Sequence, residues 1–145
     1  MRRLPPIPLW KDVTVLVIED HRDSRELLRQ MLHALGLRVL AARDGQEALD
    51  HLGETTPDLI LCDLVMPVMD GFAFLSAIRR SPRYQRIPVV AVTALGQDHD
   101  LDATWRAGFD GHLTKPIDYD TVVATVERIL GQRLGAKSTE EEDID

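Results

Sequence analysis

The feature of this sequence that most constrains its fold is a series of four short apolar runs, each followed by polar residues. The runs cover residues 13–18, 59–62, 89–92 and 112–113. The polar residues that follow them are Glu19 and Asp20, Asp63, Thr93, and Lys115. Runs of this length, rich in Val, Ile and Leu, are typical of strands buried on both faces of a parallel sheet. Because open α/β sheets bind ligands at the carboxyl ends of their strands, we expect these polar residues to surround one pocket.

The pattern between these runs predicts helices that alternate with the strands. A further apolar run at 37–42 adds a strand, which gives five strands and five helices in alternation. Short connections of this kind favour right-handed crossovers and an α/β fold, with a five-stranded parallel sheet of order 2-1-3-4-5 flanked by helices, as in flavodoxin. We expect an extended, proline-containing leader over residues 1–12, one domain over 13–131 and an acidic, disordered tail over 132–145.

The bulk composition excludes several classes of function. No apolar run approaches the ~20 residues that cross a bilayer, so no membrane association is expected. The single Cys62 fits a reducing cytoplasm. A formal net charge of -7 argues against direct binding of nucleic acid, which needs clustered Lys and Arg. Neither the phosphate-loop motif G-x-x-x-x-G-K-[ST] nor the dinucleotide motif G-x-G-x-x-G occurs.

The residues expected at the pocket have a coherent chemistry. Two carboxylates ~4 Å apart repel by roughly 4 kcal/mol at an effective dielectric of 20, so Glu19, Asp20 and Asp63 together would hold a proton or recruit a cation. Carboxylate oxygens with room for water suit Mg²⁺. Asp63 is a candidate nucleophile, Lys115 can neutralise a phosphoryl oxygen, and the Thr93 hydroxyl can donate to another. The set therefore predicts phosphoryl transfer by positioning and charge neutralisation.

The same residues carry a resemblance to a known family. The acidic opening at 15–20, the Asp44-Gly45 pair, the segment from Asp63 to Gly71, the step from Pro88 to Thr93, and Lys115-Pro116 follow in order. In this combination they resemble the receiver domain of response regulators over about residues 13–130. The resemblance implies the flavodoxin-like receiver fold and a two-component signalling switch.

The resemblance also implies roles for individual residues. Asp63 would accept a phosphoryl group from a histidine kinase or a histidine phosphotransfer protein. Asp20, Asp63 and the backbone carbonyl of Val65 would bind Mg²⁺, with Glu19 acting directly or through water. The phosphoryl-binding and switch residues would be Thr93, Ala94, Lys115 and His112. The bond before Pro116 is expected to be cis.

The resemblance further implies an output. The change caused by phosphorylation would be reported to a downstream protein effector on the face formed by helix 4, strand 5 and helix 5. The resemblance also allows a homodimer. Trp105, on helix 4, either covers the core or marks a partner surface on that face. The chain would not be an enzyme beyond assisting the phosphorylation and dephosphorylation of its own aspartate.

Two positions depart from the family pattern. His112 occupies the switch position that is usually Tyr or Phe, and because histidine titrates near neutral pH the switch is expected to be muted or pH-sensitive. Val65 and Leu95 lie two residues after Asp63 and Thr93, where polar side chains can align the hydrolytic water. Apolar residues at both positions predict an aspartyl phosphate that hydrolyses slowly.

Two alternative functions are distinguishable from the sequence. A phosphatase of the haloacid-dehalogenase type also uses an aspartate at a strand end, but it places a second aspartate two residues later, where this chain has Val65. A receiver-like module that binds partners without phosphorylation commonly lacks one of the key residues. This chain retains the acidic pair, Asp63, Thr93 and Lys115.

Overall fold

The computed structural model describes residues 10, 12–94 and 98–144, without the side chains of 98–100 and 132–144. Strands and helices alternate along these described residues. The strands are β1 (Thr14–Ile18), β2 (Arg38–Ala42), β3 (Leu59–Asp63), β4 (Val89–Thr93) and β5 (Gly111–Thr114). The helices are α1 (Arg22–Ala34), α2 (Gly45–Leu52), α3 (Gly71–Arg79), α4 (Asp98–Ala107) and α5 (Tyr119–Ile144).

The strands form one parallel sheet in the order β2-β1-β3-β4-β5, which confirms the predicted fold. In its register Ile18 lies beside Cys62, Asp63 beside Val92, and Thr93 beside Thr114. The carboxyl ends of β1, β3, β4 and β5 are therefore level with one another. The sequence pattern predicted that Asp63 and Thr93 follow their strands. In the structure each of them is instead the last residue of its strand.

Side chains alternate along the central strands and build a separate core on each face of the sheet. Every residue of β1, β3 and β4 is buried, as expected for a sheet covered on both sides. On one face Leu16, Ile60 and Ala91 pack with residues of α2 and α3. On the other face Val17 and Leu61 pack with residues of α1 and α5. The sheet is the middle layer of a three-layer sandwich, and its edge remains open for a site.

Two acidic residues fix where the helices on the first face begin. Asp44 accepts a hydrogen bond from the amide of Glu47 at 2.8 Å, and Asp70 accepts one from the amide of Ala73 at 2.8 Å. Each carboxylate satisfies an amide that has no partner within its helix, which is the usual role of Asp at such a position. The two Asp-Gly pairs of the sequence thus mark the starts of α2 and α3.

The structure describes the two predicted terminal segments only in part. In the segment predicted to be an acidic tail, the backbone of 132–144 continues α5 as far as Ile144, which fits its content of strong helix formers (Ala, Leu, Lys, Glu and Arg). Most of the predicted leader, residues 1–9 and 11, lies outside the described residues. Trp10 is half-buried and packs against the core beside Val13, whose amide donates to the Trp10 carbonyl at 3.0 Å. In the described part of the chain, no helix combines the length and apolar character needed to cross a membrane.

Candidate functional site

The polar residues at the ends of the strands come together around one cavity. Its volume is about 370 Å³, and it opens at the carboxyl edge of the sheet. Nine residues line it: Asp20, His21, Asp63, Leu64, Val65, Val92, Thr93, Ala94 and Lys115. Of the predicted site residues that the structure describes, Glu19, His112 and Pro116 are not on its wall. Leu95 lies outside the described residues.

Asp63 lies at the floor of the cavity because β3 ends there and α3 begins very close by. The amide of Gly71 donates to the carbonyl of Leu64 at 3.0 Å. A Cβ on Gly71 would lie 2.6 Å from the carbonyl oxygen of Asp63, so only glycine permits this approach. The Asp63 side chain is buried, and its Oδ1 accepts a hydrogen bond from the amide of Val65 at 3.2 Å.

The loop after Asp63 contains a strained residue. Val68 has a φ of 71°, and the amide of Met69 donates to the carbonyl of Pro67 at 2.7 Å. This is a γ-turn with positive φ, a rare and strained conformation, and a β-branched side chain makes it less favourable still. Met69 packs on Gly45 at the start of α2, where an added Cβ would lie 2.8 Å from Sδ of Met69.

Three carboxylates converge at the cavity. One oxygen from each of Glu19, Asp20 and Asp63 lies within 4.8 Å of the other two. Oδ1 of Asp20 is buried and has no hydrogen-bond partner among the described residues. A buried carboxylate oxygen needs a partner, and hard oxygen donors in this number suit Mg²⁺. The donor set at this edge of the sheet therefore fits a magnesium ion.

Lys115 joins two of these carboxylates. Its Nζ lies 2.9 Å from Oε1 of Glu19 and 3.3 Å from Oδ2 of Asp63. The peptide bond between Lys115 and Pro116 is cis, as the resemblance implies. Oε2 of Glu19 accepts a hydrogen bond from the amide of His21 at 3.0 Å. The Lys115 ammonium thus links the end of β5 to the ends of β1 and β3.

The environment separates the pKa values of these groups. Burial and the nearby charge of Glu19 raise the pKa of Asp63 to about 6, against the opposing effect of Lys115. Burial also raises the pKa of Glu19, but hydrogen bonds from the His21 amide and Lys115 outweigh it, so that this pKa is lowered overall. Burial lowers the pKa of Lys115, and the two carboxylates raise it to a greater extent. Burial and Glu19 therefore disfavour the charged form of Asp63, which a bound cation would favour.

Arg25, one turn into α1, donates hydrogen bonds to the backbone of the acidic loop, which carries Glu19 and Asp20. Its Nη1 donates to the backbone carbonyls of Glu19 at 2.9 Å and Asp20 at 3.4 Å. Sequence reasoning missed this contact, although a basic residue five positions after an acidic pair and inside the following helix was a usable signal. The contact fixes the backbone from which Asp20 reaches the cavity.

Thr93 connects the cavity to β5. Its side chain is buried, and Oγ1 donates to the carbonyl of Leu113 at 3.5 Å. Ala94 is exposed and lines the cavity mouth. A hydrogen bond of 3.5 Å is weak. The Thr93 hydroxyl can therefore exchange the Leu113 carbonyl for a stronger acceptor in the cavity.

His112 and Trp105 form a pair on the neighbouring surface. Their rings are 5.8 Å apart and nearly perpendicular, at 83°. Nδ1 of His112 is buried and has no hydrogen-bond partner in the described part of the chain. Trp105 covers this ring and is still 53% exposed, so it belongs to the surface more than to the core.

Comparison with known proteins gives a consistent result. A family model of the response regulator receiver domain matches residues 15–127. The uncharacterized 14.6 kDa protein in the sodA1 3' region of Leptolyngbya boryana is 38% identical over 114 residues, which cover 79% of this chain and 87% of that protein. In two other relatives the chain spans only 53% and 15% of the relative's length, so that the matching segment is part of a longer protein there.

Solved structures agree in fold. The chemotaxis response regulator CheY4 of Vibrio cholerae aligns with a TM-score of 0.76 at 31% identity, over 81% of this chain and 98% of that one. The receiver domain of a sensor histidine kinase from Pseudomonas aeruginosa aligns with a TM-score of 0.75 at 29% identity, over 82% and 98% of the two chains. The latter structure has a magnesium ion coordinated in its active site cleft.

Proposed function

Because the chain belongs to the response regulator receiver domain family, we propose that it is a phosphorylation-dependent switch of a two-component system. Asp63 is the acceptor, and a histidine kinase or a histidine phosphotransfer protein is the donor. The observation that carries this proposal is the position of Asp63: it is buried at the floor of a cavity, with Asp20 on one side and the Lys115 ammonium 3.3 Å away on the other.

The transfer needs little more than what these residues provide. An Asp63 oxygen forms a bond to phosphorus while the bond from phosphorus to the histidine nitrogen of the donor breaks. The electron pair of that bond stays on the imidazole, which then takes up a proton. Lys115 lies at hydrogen-bond distance from Asp63 and supplies positive charge for the incoming phosphoryl oxygens. Ala94 has a small side chain at the mouth, which leaves access to a donor.

The metal of this reaction would be Mg²⁺, held by the carboxylates of Asp20 and Asp63 and the backbone carbonyl of Val65. Bound there, Mg²⁺ would neutralise charge on the phosphoryl oxygens. Two features support this assignment: Oδ1 of Asp20 is buried without a hydrogen-bond partner among the described residues, and the pKa of Asp63 is raised. The Pseudomonas aeruginosa relative carries magnesium in its cleft. Arg25 keeps the Asp20 backbone in place for it.

The signal would leave through β5. Thr93 exchanges the Leu113 carbonyl for a phosphoryl oxygen, and Leu113 is the neighbour in sequence of His112, which lies against Trp105. This series of contacts leads from the cavity to the surface of α4, β5 and α5, where a downstream protein effector would bind. Two copies of the chain could use the same surface.

The chain acts in this scheme as a signalling protein and not as an enzyme on a separate substrate, because its chemistry is confined to its own Asp63. A donor of the histidine kinase type works in the cytoplasm, and we assign this protein to the same compartment. Binding through this surface without phosphorylation is the competing function, and it predicts that Asp63 stays unmodified.

The direct test is incubation of the purified protein with Mg²⁺ and acetyl phosphate, followed by mass spectrometry of the intact protein and its peptides. We expect one added phosphoryl group, located on Asp63 and lost in Asp63→Asn. Asp50→Asn, an exposed acidic residue on α2, is the matched control and should be modified like the wild type. An unmodified wild-type protein, or a modified Asp63→Asn variant, would contradict the proposal.

A further inference from the structure

We propose that the loop between α3 and β4, residues 80–88, binds the acidic segment 140–143 of a second copy of this chain. We call residues 80–88 the arginine loop, because its arginines are the groups that would recognise the carboxylates. The contact lies at the amino edge of the sheet, opposite the edge that carries Asp63, and it does not depend on the proposed function.

The arginine loop is the centre of a basic stretch in an acidic chain. Residues 71–97 include four arginines and no acidic residue, although the whole chain carries a net charge of -7. Arg79 is occupied inside the fold, because its guanidinium lies 3.2 Å from a carboxylate oxygen of Asp110. The other three arginines are exposed, and none of them forms an ion pair with a residue that the structure describes: Arg80, Arg83 and Arg86. The loop therefore presents three positive charges that the described fold does not use.

The backbone of the arginine loop is ordered by its own hydrogen bonds. The carbonyl of Ser81 accepts from the amides of Tyr84 and Gln85, each at 3.0 Å. The Tyr84 hydroxyl donates to the Leu52 carbonyl at 2.9 Å, which ties the loop to the end of α2. The Arg83 guanidinium lies 5.4 Å from the centre of the Tyr84 ring. A loop that is already ordered loses little conformational entropy when it binds a partner, and this favours recognition.

The chain itself contains a segment of opposite charge. Five of the six residues 140–145 are acidic, and none of them is basic. A guanidinium presents a planar fork of N–H donors that matches a carboxylate, so exposed arginines are suited to bind such a segment. A nucleic acid offers phosphates to the same donors, but the net negative charge of the chain opposes its approach to a polyanion. Charge complementarity therefore favours the acidic segment as the occupant.

The acidic segment of the same molecule is poorly placed for this contact. α5 reaches the amino edge of the sheet near Ile129, whose Cδ1 would lie 3.8 Å from a Cβ on Gly111, the first residue of β5. The backbone of α5 then continues as a helix to Ile144. At about 1.5 Å per residue, the segment begins roughly 15 Å beyond the last core residue of α5, Leu130. α3 and α5 also cover opposite faces of the sheet, so the helix points away from its own arginine loop.

A second copy that faces the amino edge removes this difficulty. Each copy has one arginine loop and one acidic segment, so two copies related by a two-fold axis satisfy both contacts at once. The cavity around Asp63 lies at the far edge of each copy and stays open. Exposed ion pairs are individually weak and are screened by salt, so the association is expected at high protein concentration and should weaken at about 1 M salt.

Charge reversal in the full chain tests the pairing by sedimentation equilibrium at about 0.1 M salt, where the Debye length is ~10 Å and distant like charges are screened. The wild type should form dimers in a concentration-dependent way. The loop variant, which combines Arg80→Glu, Arg83→Glu and Arg86→Glu, should raise the dissociation constant of the dimer at least tenfold.

A second set of reversals separates the specific contact from net charge. The combined variant adds Glu140→Lys, Glu141→Lys and Glu142→Lys to the loop variant, which restores the net charge of the wild type. Because the reversed loop meets a reversed segment, its dissociation constant should return to within about threefold of the wild type. The matched control adds three exposed substitutions elsewhere to the loop variant and has the same net charge: Asp50→Lys, Glu54→Lys and Glu127→Lys. This control should remain as weak as the loop variant.

Three results would overturn the proposal. They are a wild type that stays monomeric at the highest concentration, a loop variant that associates like the wild type, and a combined variant that associates no better than its matched control. Unchanged far-UV circular dichroism shows that each variant is folded. Phosphorylation of Asp63 by acetyl phosphate should proceed equally in all of them, and its failure in every protein would refute the proposed function while the sedimentation data still decide the association.

Discussion

At the scale of single residues, the most informative side chain is Val68, which holds a costly backbone conformation without burial in return. Its φ is 71° and its side chain is 87% exposed. A non-glycine residue in the left-handed region costs ~1–2 kcal/mol, and glycine adds roughly 0.5–1 kcal/mol of chain entropy. We expect Val68→Gly to raise the free energy of unfolding by about 0.5–1 kcal/mol, measured by urea denaturation.

Asp12→Gly is the control for this prediction. Asp12 also has a positive φ, of 67°, but aspartate enters the left-handed region more easily than valine, so its gain should be smaller. Equal gains at both positions, or a loss of stability in Val68→Gly, would show that Val68 is not strained.

Asp63 predicts a pH dependence of stability in the metal-free protein. Its pKa in the folded protein is raised from 3.8 to about 6, because burial and Glu19 disfavour the carboxylate. The folded state therefore retains a proton that the unfolded state has released, and stability falls as pH rises through this window. Two pKa units correspond to an effect on the order of 2–3 kcal/mol.

Asp63→Asn removes this penalty, so the metal-free variant should exceed the wild type in melting temperature at pH 7.5. The advantage should shrink toward pH 4, where Asp63 is protonated in the folded protein. Differential scanning calorimetry measures both values, with the exposed Asp50→Asn as a control that shows no such trend. A difference that is the same at both pH values would contradict the raised pKa.

The apolar side chain of Val65 leads us to expect a long-lived phosphorylated state. It is 79% exposed beside Asp63 and offers no hydrogen bond to a hydrolytic water. One hydrogen bond contributes ~1 kcal/mol, so Val65→Asn should speed hydrolysis of the aspartyl phosphate by roughly fivefold. Phosphate release from the isolated phosphoprotein measures the rate. Leu27→Asn, on the exposed side of α1, should leave it unchanged, and a short-lived phosphate in the wild type would refute the prediction.

At the scale of elements, the start of α2 supports the loop between β3 and α3. Met69 packs on Gly45, and a Cβ at that position would lie 2.8 Å from Sδ and 3.1 Å from Cβ of Met69. Overpacking of this kind costs about 1–3 kcal/mol. Gly45→Ala should therefore lower the melting temperature, and it should weaken Mn²⁺ binding severalfold because the same loop carries Val65.

Gly131→Ala is the counterpart on α5, where no atom of the described residues lies within 4 Å of an added Cβ. Alanine is a better helix former than glycine by ~1 kcal/mol, so this variant should be as stable as the wild type or more so, with unchanged metal affinity. If Gly45→Ala behaved in the same way, the contact with Met69 would have no part in shaping the site.

At the scale of the whole molecule, the proposed function requires that phosphorylation at one edge of the sheet change a distant surface. Trp105 lies on that surface against His112, and Trp10 lies near the start of β1. In a Trp10→Phe protein, we expect the fluorescence of Trp105 to change when Asp63 is phosphorylated. Because the His112 ring packs against Trp105, His112→Phe should change the size of this signal.

An unchanged signal in His112→Phe would show that His112 behaves as an ordinary aromatic residue at this position. A signal that persists in Asp63→Asn treated with acetyl phosphate would show that it does not report phosphorylation.

The sequence by itself determined the sheet, its order and the residues at its functional edge. Short, continuous apolar runs are typical of strands buried on both faces of a sheet, and parallel strands bring their carboxyl ends to one edge. The meeting of Asp20, Asp63, Thr93 and Lys115 therefore followed from local pattern and topology. Only the tertiary structure decided which groups bind to one another. The pairing of Glu19 with Lys115, the contact of Arg25 with the acidic loop, the packing of Met69 on Gly45 and the strain at Val68 depend on distances between segments far apart in the chain. Differences of about 1 Å decide a hydrogen bond or a clash, and no periodicity in the sequence encodes them.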